Sequence, residues 1–146
     1  MKARLVPSLA LVAALTLAAC SSAPAATVPP GASPATRIEV TLTDSFQVQP
    51  DPLVVPVGVP VTFVVTNTGV LEHEIFFGDE EAQQEHESEM QAIGGMPHDH
   101  PNGIAVKPGE TREIVQTFEA EGSSLAGCHL PGHYAAGMKA AVLIVR

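Results

Sequence analysis

The sequence predicts an all-β domain, an antiparallel Greek-key sandwich or barrel with a short helix-loop insertion. Three observations carry that prediction. Apolar and polar residues alternate with a period of two through residues 38–66 and again through 111–118. Pro, Gly and Asn recur between these runs at short intervals, as turns between short strands do. One stretch, 79–92, breaks the pattern, since it has no β-branched residue and many helix formers.

In chain order, Ile38, Val40 and Leu42 alternate with Glu39, Thr41 and Thr43, the pattern of a half-buried strand. Phe46 and Val48 continue it up to Pro50. Leu53 to Val55 lies between Pro52 and Pro56, which suits a sheet edge, where a missing N–H donor does no harm. Over 59–66, Val61, Phe63 and Val65 share a face, and Asn67-Thr68-Gly69 is a turn signal. Leu71 to Phe77 reads as the next strand and contains His73. A short exposed helix over 79–92 and a Gly- and Pro-rich loop over 93–103 follow. After Pro108-Gly109-Glu110 the alternation resumes in T-R-E-I-V-Q-T-F. Glu121-Gly122 turns the chain into a segment ending at Cys128, and residues 139–145 close the sheet. Seven or eight short strands with turns between them make the sandwich or barrel.

Not all 146 residues belong to that domain. Lys2 and Arg4 precede a mostly apolar run from Leu5 to Ala19, too short for a comfortable membrane span and laid out as a secretory signal over 1–19. The run ends in Leu17-Ala18-Ala19-Cys20, which resembles the lipobox of bacterial lipoproteins. That resemblance implies cleavage before Cys20, lipidation of its thiol, and a membrane anchor that does not span. The competing reading is an ordinary signal with an incidental Cys. Residues 21–36 carry no charge and four Pro, the composition of a linker. The expected organisation is thus a signal over 1–19, a lipidated Cys and linker over 20–36, and one domain over 37–146. The expected address is a bacterial membrane, facing the periplasm or the cell exterior.

Two of the seven basic residues lie in the signal, which leaves five against sixteen acidic ones, a charge of −11 with His neutral. Nucleic-acid binding is disfavoured, because it needs a basic face. Cations or a cationic partner are attracted. A flexible tether and a high net charge fit a monomer. With Cys20 taken by lipid, Cys128 stands without a disulfide partner. A lone Cys in an exported chain is a reactive thiol, an intermolecular bridge or a metal ligand.

Its neighbours point to the last of these. The run C-H-L-P-G-H-Y-A-A-G-M places Cys128, His133 and Met138 five positions apart, and His73 lies upstream in L-E-H-E-I. Two His and a Cys with a weak axial Met are the ligands of a blue-copper site. Zinc also accepts Cys and His, but a thioether argues for copper. Pro131-Gly132 can turn the chain so that His133 returns toward Cys128, and Gly137 allows a close bend before Met138. Alternation points His129 away from the metal, to a supporting position behind the ligands or to the surface.

With Asn67, Gly69 and His73 in N-x-G-x-x-x-H and a terminal C-x4-H-x4-M, residues 37–146 resemble the cupredoxins, the plastocyanin- and azurin-like blue copper proteins. The resemblance implies a cupredoxin-like fold, His73, Cys128, His133 and Met138 as ligands of one copper cycling between Cu(I) and Cu(II), and one-electron transfer with redox protein partners. The position after the first His commonly holds Asn or Ser in that family. Here it is Glu74, which could accept a backbone N–H from the ligand loop.

The segment between His73 and Cys128 adds His86, Met90, Met96, His98 and His100 among many carboxylates. His86 and Met90 would share one side of a helix, and His98-Asp99-His100 could chelate a cation. A weak second copper site is set against a solvated acidic helix, and the solvated reading is preferred, because charge runs are usually solvated. The alternative function is copper storage, delivery or tolerance, with this segment as the acquisition arm and copper-donating or copper-accepting proteins as partners. An enzyme is not expected. Only one His-x-His pair is present, no second Cys stands near Cys128, and no nucleophile–base arrangement is visible.

Overall fold

A computed structural model describes residues 35–146. The predicted signal, the lipidation site at Cys20 and nearly all of the linker lie outside the described residues. The strands are β1 (Arg37–Thr43), β2 (Gln47–Gln49), β3 (Leu53–Pro56), β4 (Val61–Asn67), β5 (His73–Gly78), β6 (Gly103–Val106), β7 (Thr111–Gln116), β8 (Gly122–Gly127) and β9 (Lys139–Val145), with helix α1 (Glu80–Ala92) between β5 and β6. They form two sheets, ordered β2-β1-β4-β7 and β3-β9-β8-β5-β6.

The alternating residues do what their period dictates. Val40 and Leu42 of β1, Val61, Phe63 and Val65 of β4, Ile75 and Phe77 of β5, and Ala140 and Val142 of β9 are buried between the sheets. Each large apolar side chain removed from water there stabilises the fold by about 1.5–3 kcal/mol. Phe63 and Phe77 meet across the core with ring centroids 4.4 Å apart. The edge position expected for Leu53–Val55 is observed, since β3 closes one end of the five-stranded sheet.

Three expectations are corrected. The sandwich is not purely antiparallel: β1 pairs with β4, and β3 with β9, in parallel. Turn signals foretell only hairpins between sequence neighbours, whereas here the chain changes sheets around β3 and the new neighbours run the same way. There are nine strands among the described residues, not seven or eight. The unforeseen β6 has only four residues, and its pairing with β5, not its own pattern, makes it a strand. Finally, α1 is not a solvated helix. It is capped by Asp79, whose carboxylate accepts the Ala82 N–H at 2.9 Å, and Glu80 and Glu81 sit in the first turn, where the helix dipole favours anions. Its Gln83, His86 and Met90 are buried. At spacings of three and four they form one stripe, and it lies against β5 and β8. Both faces of β5 are therefore covered, one by the core and one by the helix.

Candidate metal centre

The period-two geometry of β5 sends His73, Ile75 and Phe77 to one side and Glu74 and Phe76 to the other. The same rule turns Ala126 of β8 inward and, just past the strand's end, Cys128, and leaves His129 on the helix side. His73 and Cys128 are fully buried. A turn after Leu130, closed by the His133 N–H donating to the Leu130 carbonyl at 2.9 Å, brings His133 back. Gly132, at φ 84°, supplies the left-handed conformation this turn requires. His73 Nδ1 lies 3.3 Å from His133 Nδ1, and His133 Nδ1 lies 3.4 Å from Cys128 Sγ. These three potential ligand atoms all fall within 4.8 Å of one another. Met138 is buried beside them. Its carbonyl accepts the Cys128 N–H at 3.0 Å and its N–H donates to the His133 carbonyl at 3.1 Å. The structure thus brings Cys128, His133 and Met138 together through one closed loop, and His73 to the same pole from another strand.

The donor set fits a soft, redox-active metal. A thiol sulfur and two imidazole nitrogens face one space, with no carboxylate oxygen among them. The Glu74 N–H points at Cys128 Sγ from 3.5 Å, a hydrogen bond that a thiolate strengthens. Burial pushes the Cys128 thiol up to about 12, so without a metal it is a protonated thiol at neutral pH. His133 is only partly buried, and burial followed by the neighbouring His73 lowers its basicity, which favours the neutral form that a metal binds.

The loop before β5 explains the N-x-G-x-x-x-H spacing. The Asn67 side chain donates to the carbonyls of Leu71 and Val106 at 2.7 and 3.0 Å and accepts the Gly69 N–H at 2.9 Å. The space above Gly69 is filled by the carboxylate of Asp44, from the turn between β1 and β2. A Cβ at Gly69 would stand 1.9 Å from Asp44 Oδ1. Asp44 accepts the N–H of Val70 at 2.8 Å and of Leu71 at 3.2 Å, and its Oδ1 lies 3.1 Å from His73 Nε2. The Val70 N–H is the largest influence on this carboxyl, and the net effect holds it below the usual value. These bonds keep Leu71 and Glu72 out of β5, so that strand begins at His73 and not, as expected, at Leu71. Sequence reasoning missed Asp44, and its only local signal is a position in a tight turn.

On the helix side, Glu74 does what was expected of it. Its carboxylate accepts the His129 N–H at 2.8 Å. The same oxygen lies 3.2 Å from His86 Nε2. His129 is buried, not on the surface. Its ring stacks on Tyr134 at 4.3 Å and lies between Gln83 Oε1 at 2.6 Å and Glu87 Oε2 at 2.7 Å. The Gln83 amide donates to the carbonyls of Phe76, Gly78 and Leu125. The loop beyond α1 also touches the loop between Cys128 and Met138, since a Cβ at Gly95 would stand 2.4 Å from Pro131 Cγ.

Of the acidic segment, His86, Glu89 and His98 converge within 4.8 Å, a second group able to hold a cation. His86 Nδ1 lies 3.2 Å from Glu89, and His98 Nε2 lies 3.6 Å from Glu89. The side chains of His98-Asp99-His100 do not converge into such a group. Asp99 pairs with Arg112 through both carboxylate oxygens, at 2.7 and 2.8 Å, and His100 Nδ1 accepts the Asn102 N–H. Met90 is in the core and Met96 is exposed.

The sequence model of the copper binding proteins, plastocyanin/azurin family, matches residues 35–145. A copper-resistant cuproprotein CopI of Rubrivivax gelatinosus is 35% identical over 107 residues, 73% of this chain and 65% of that protein. The protein of the same name from Vibrio cholerae is 35% identical over 111 residues, 75% of this chain and again 65% of the relative. The chain thus spans just under two thirds of the length of these relatives. Among solved structures, a reduced auracyanin from Roseiflexus castenholzii superposes with a TM-score of 0.70 at 24% identity, over 78% of this chain and all of that one, a likeness of fold.

Proposed function

The chain belongs to the plastocyanin/azurin family of copper-binding proteins, and on that premise we propose that His73, Cys128, His133 and Met138 hold one copper ion for extracytoplasmic one-electron transfer. The observation that carries this reading is the convergence of Cys128 Sγ with the Nδ1 atoms of His73 and His133. Copper supplies a Cu(I)/Cu(II) couple. The protein's part is to hold the ligands still. Cys128 loses its proton on binding, Met138 is a neutral soft donor that leaves Cu(I) accessible, and the buried pole excludes water from all but the His133 side. Phe46 packs on the His133 ring with centroids 4.9 Å apart, and Val70 and Leu71 are exposed nearby. That combination suits brief contact with a redox protein. No enzymatic step is assigned to these residues.

A second reading is copper tolerance by storage or delivery, with residues 79–100 as the acquisition arm. Two observations favour it, the names of the relatives and the group formed by His86, Glu89 and His98. An exported, monomeric protein held to a membrane by a lipid on Cys20 serves either reading.

Optical and paramagnetic-resonance spectra of the copper-loaded protein test the first. A strong visible thiolate-to-copper band, lost in Cys128→Ser, is expected, and a colourless Cu(II) form sinks it. Copper titration and deletion test the second. A ratio held at one copper per chain under excess metal removes the acquisition arm, and unchanged copper tolerance in the deletion strain removes the role.

A further inference from the structure

The ring of His73 has two nitrogens and two different neighbours. Nδ1 faces His133 and Cys128, and Nε2 faces Asp44 Oδ1 at 3.1 Å. An ionised carboxylate only accepts, so the shared proton belongs to Nε2 and the lone pair of Nδ1 is left for a metal. His73 is fully buried, whereas the Asp44 side chain is one-third exposed. The carboxylate therefore keeps its charge in contact with water while it touches a ring that has none. Without it, Nε2–H would be a buried donor lacking a partner.

We propose that Asp44 is a positioning residue of the copper centre: its carboxylate takes the Nε2–H of His73, turns Nδ1 to the metal, and biases the centre toward Cu(II) over Cu(I). The proposal rests on the reading of His73 as a ligand. The bias follows from charge. A carboxylate on the far nitrogen makes an imidazole a stronger donor. Its negative charge also favours the oxidation state with one more positive charge. A loop-fastening role alone would be served by the bonds to Val70 and Leu71. The bond to His73 is additional, and Oδ1 is shared between Leu71 and the ring. The absent side chain at Gly69 is what allows the carboxylate this close.

The test compares the copper-loaded wild type with Asp44→Asn, which keeps the size and one acceptor oxygen but not the charge. Redox titration should show the preference for Cu(II) falling about tenfold, an upward shift of about 59 mV for a one-electron couple, with the visible band retained. An unchanged potential with that band intact overturns the proposal and leaves the ligand reading standing. A wild type with no band sinks the ligand reading first, and this proposal with it. Should the variant not fold, nitrogen-15 spectra of the copper-free wild type decide. His73 protonated on Nε2 supports the role, and protonation on Nδ1 overturns it.

Discussion

The Glu74 carboxylate accepts the backbone N–H of His129 at 2.8 Å, across 55 residues of chain. Each residue is the neighbour of a proposed copper ligand, His73 and Cys128. This bond fastens the two ligand segments from the outside, while the metal would join them from the inside. The same carboxylate meets His86, so α1 is part of the fastening.

Glu74→Ala is expected to lower stability by about 3 kcal/mol, because it strands a buried N–H and leaves His86 without its buried partner. Chemical denaturation of the copper-free protein measures this. Glu74→Gln, which can still accept from His129, should lose less, and equal losses for the two variants would remove the bond from the explanation.

His86 sets a pH dependence. Burial works to lower its pKa, but hydrogen bonds and charge from Glu74 and Glu89 outweigh it, so His86 titrates above the usual imidazole value. A group whose pKa is raised by folding contributes in full below the unfolded value of about 6.5 and loses that contribution as pH rises through the folded one. The stability difference between wild type and His86→Gln should therefore be largest below about pH 6.5 and shrink as pH rises above it. A difference that grows over that range contradicts the assignment.

Gly69→Ala should cost about 1–3 kcal/mol, since the new methyl would meet a carboxylate already held by Val70, Leu71 and His73. Thermal unfolding checks the cost. Loss of the Asp44–His73 contact, visible as a changed His73 ring resonance, should accompany it.

Cys128, held at about 12 by burial, must give up a proton to serve as the proposed copper ligand. Apparent Cu(II) affinity should then rise about tenfold per pH unit above neutrality, with one proton released per copper in a weakly buffered titration. An affinity flat with pH would mean that the thiolate is not a ligand.

Much of this was legible in the chain. Alternation in Ile38–Leu42 and Val61–Val65 marked the strands, and the spacing from Cys128 to Met138 marked a candidate ligand loop, because both are local regularities that need no knowledge of what packs where. That His129 points away from the other candidate ligands followed from its parity with Cys128, though its burial and its partners did not. Residues 79–92 were correctly read as helix, yet their buried face was misjudged. The stripe there is Gln83, His86 and Met90, polar enough to pass for solvated until α1 meets β5 and β8.

The sequence by itself determined an all-β Greek-key domain, the four candidate ligands, and the kind of metal their chemistry suits. Only the tertiary structure decided what surrounds them: parallel partners for β1 and β3, the strand at Gly103–Val106, and Asp44 and Glu74 as the outer partners of the two ligand segments. The physical reason is range. A period of two or a turn residue acts within a few positions, whereas Asp44 reaches His73 across 29 residues and Glu74 reaches His129 across 55, and such contacts exist only once two sheets and a helix have packed.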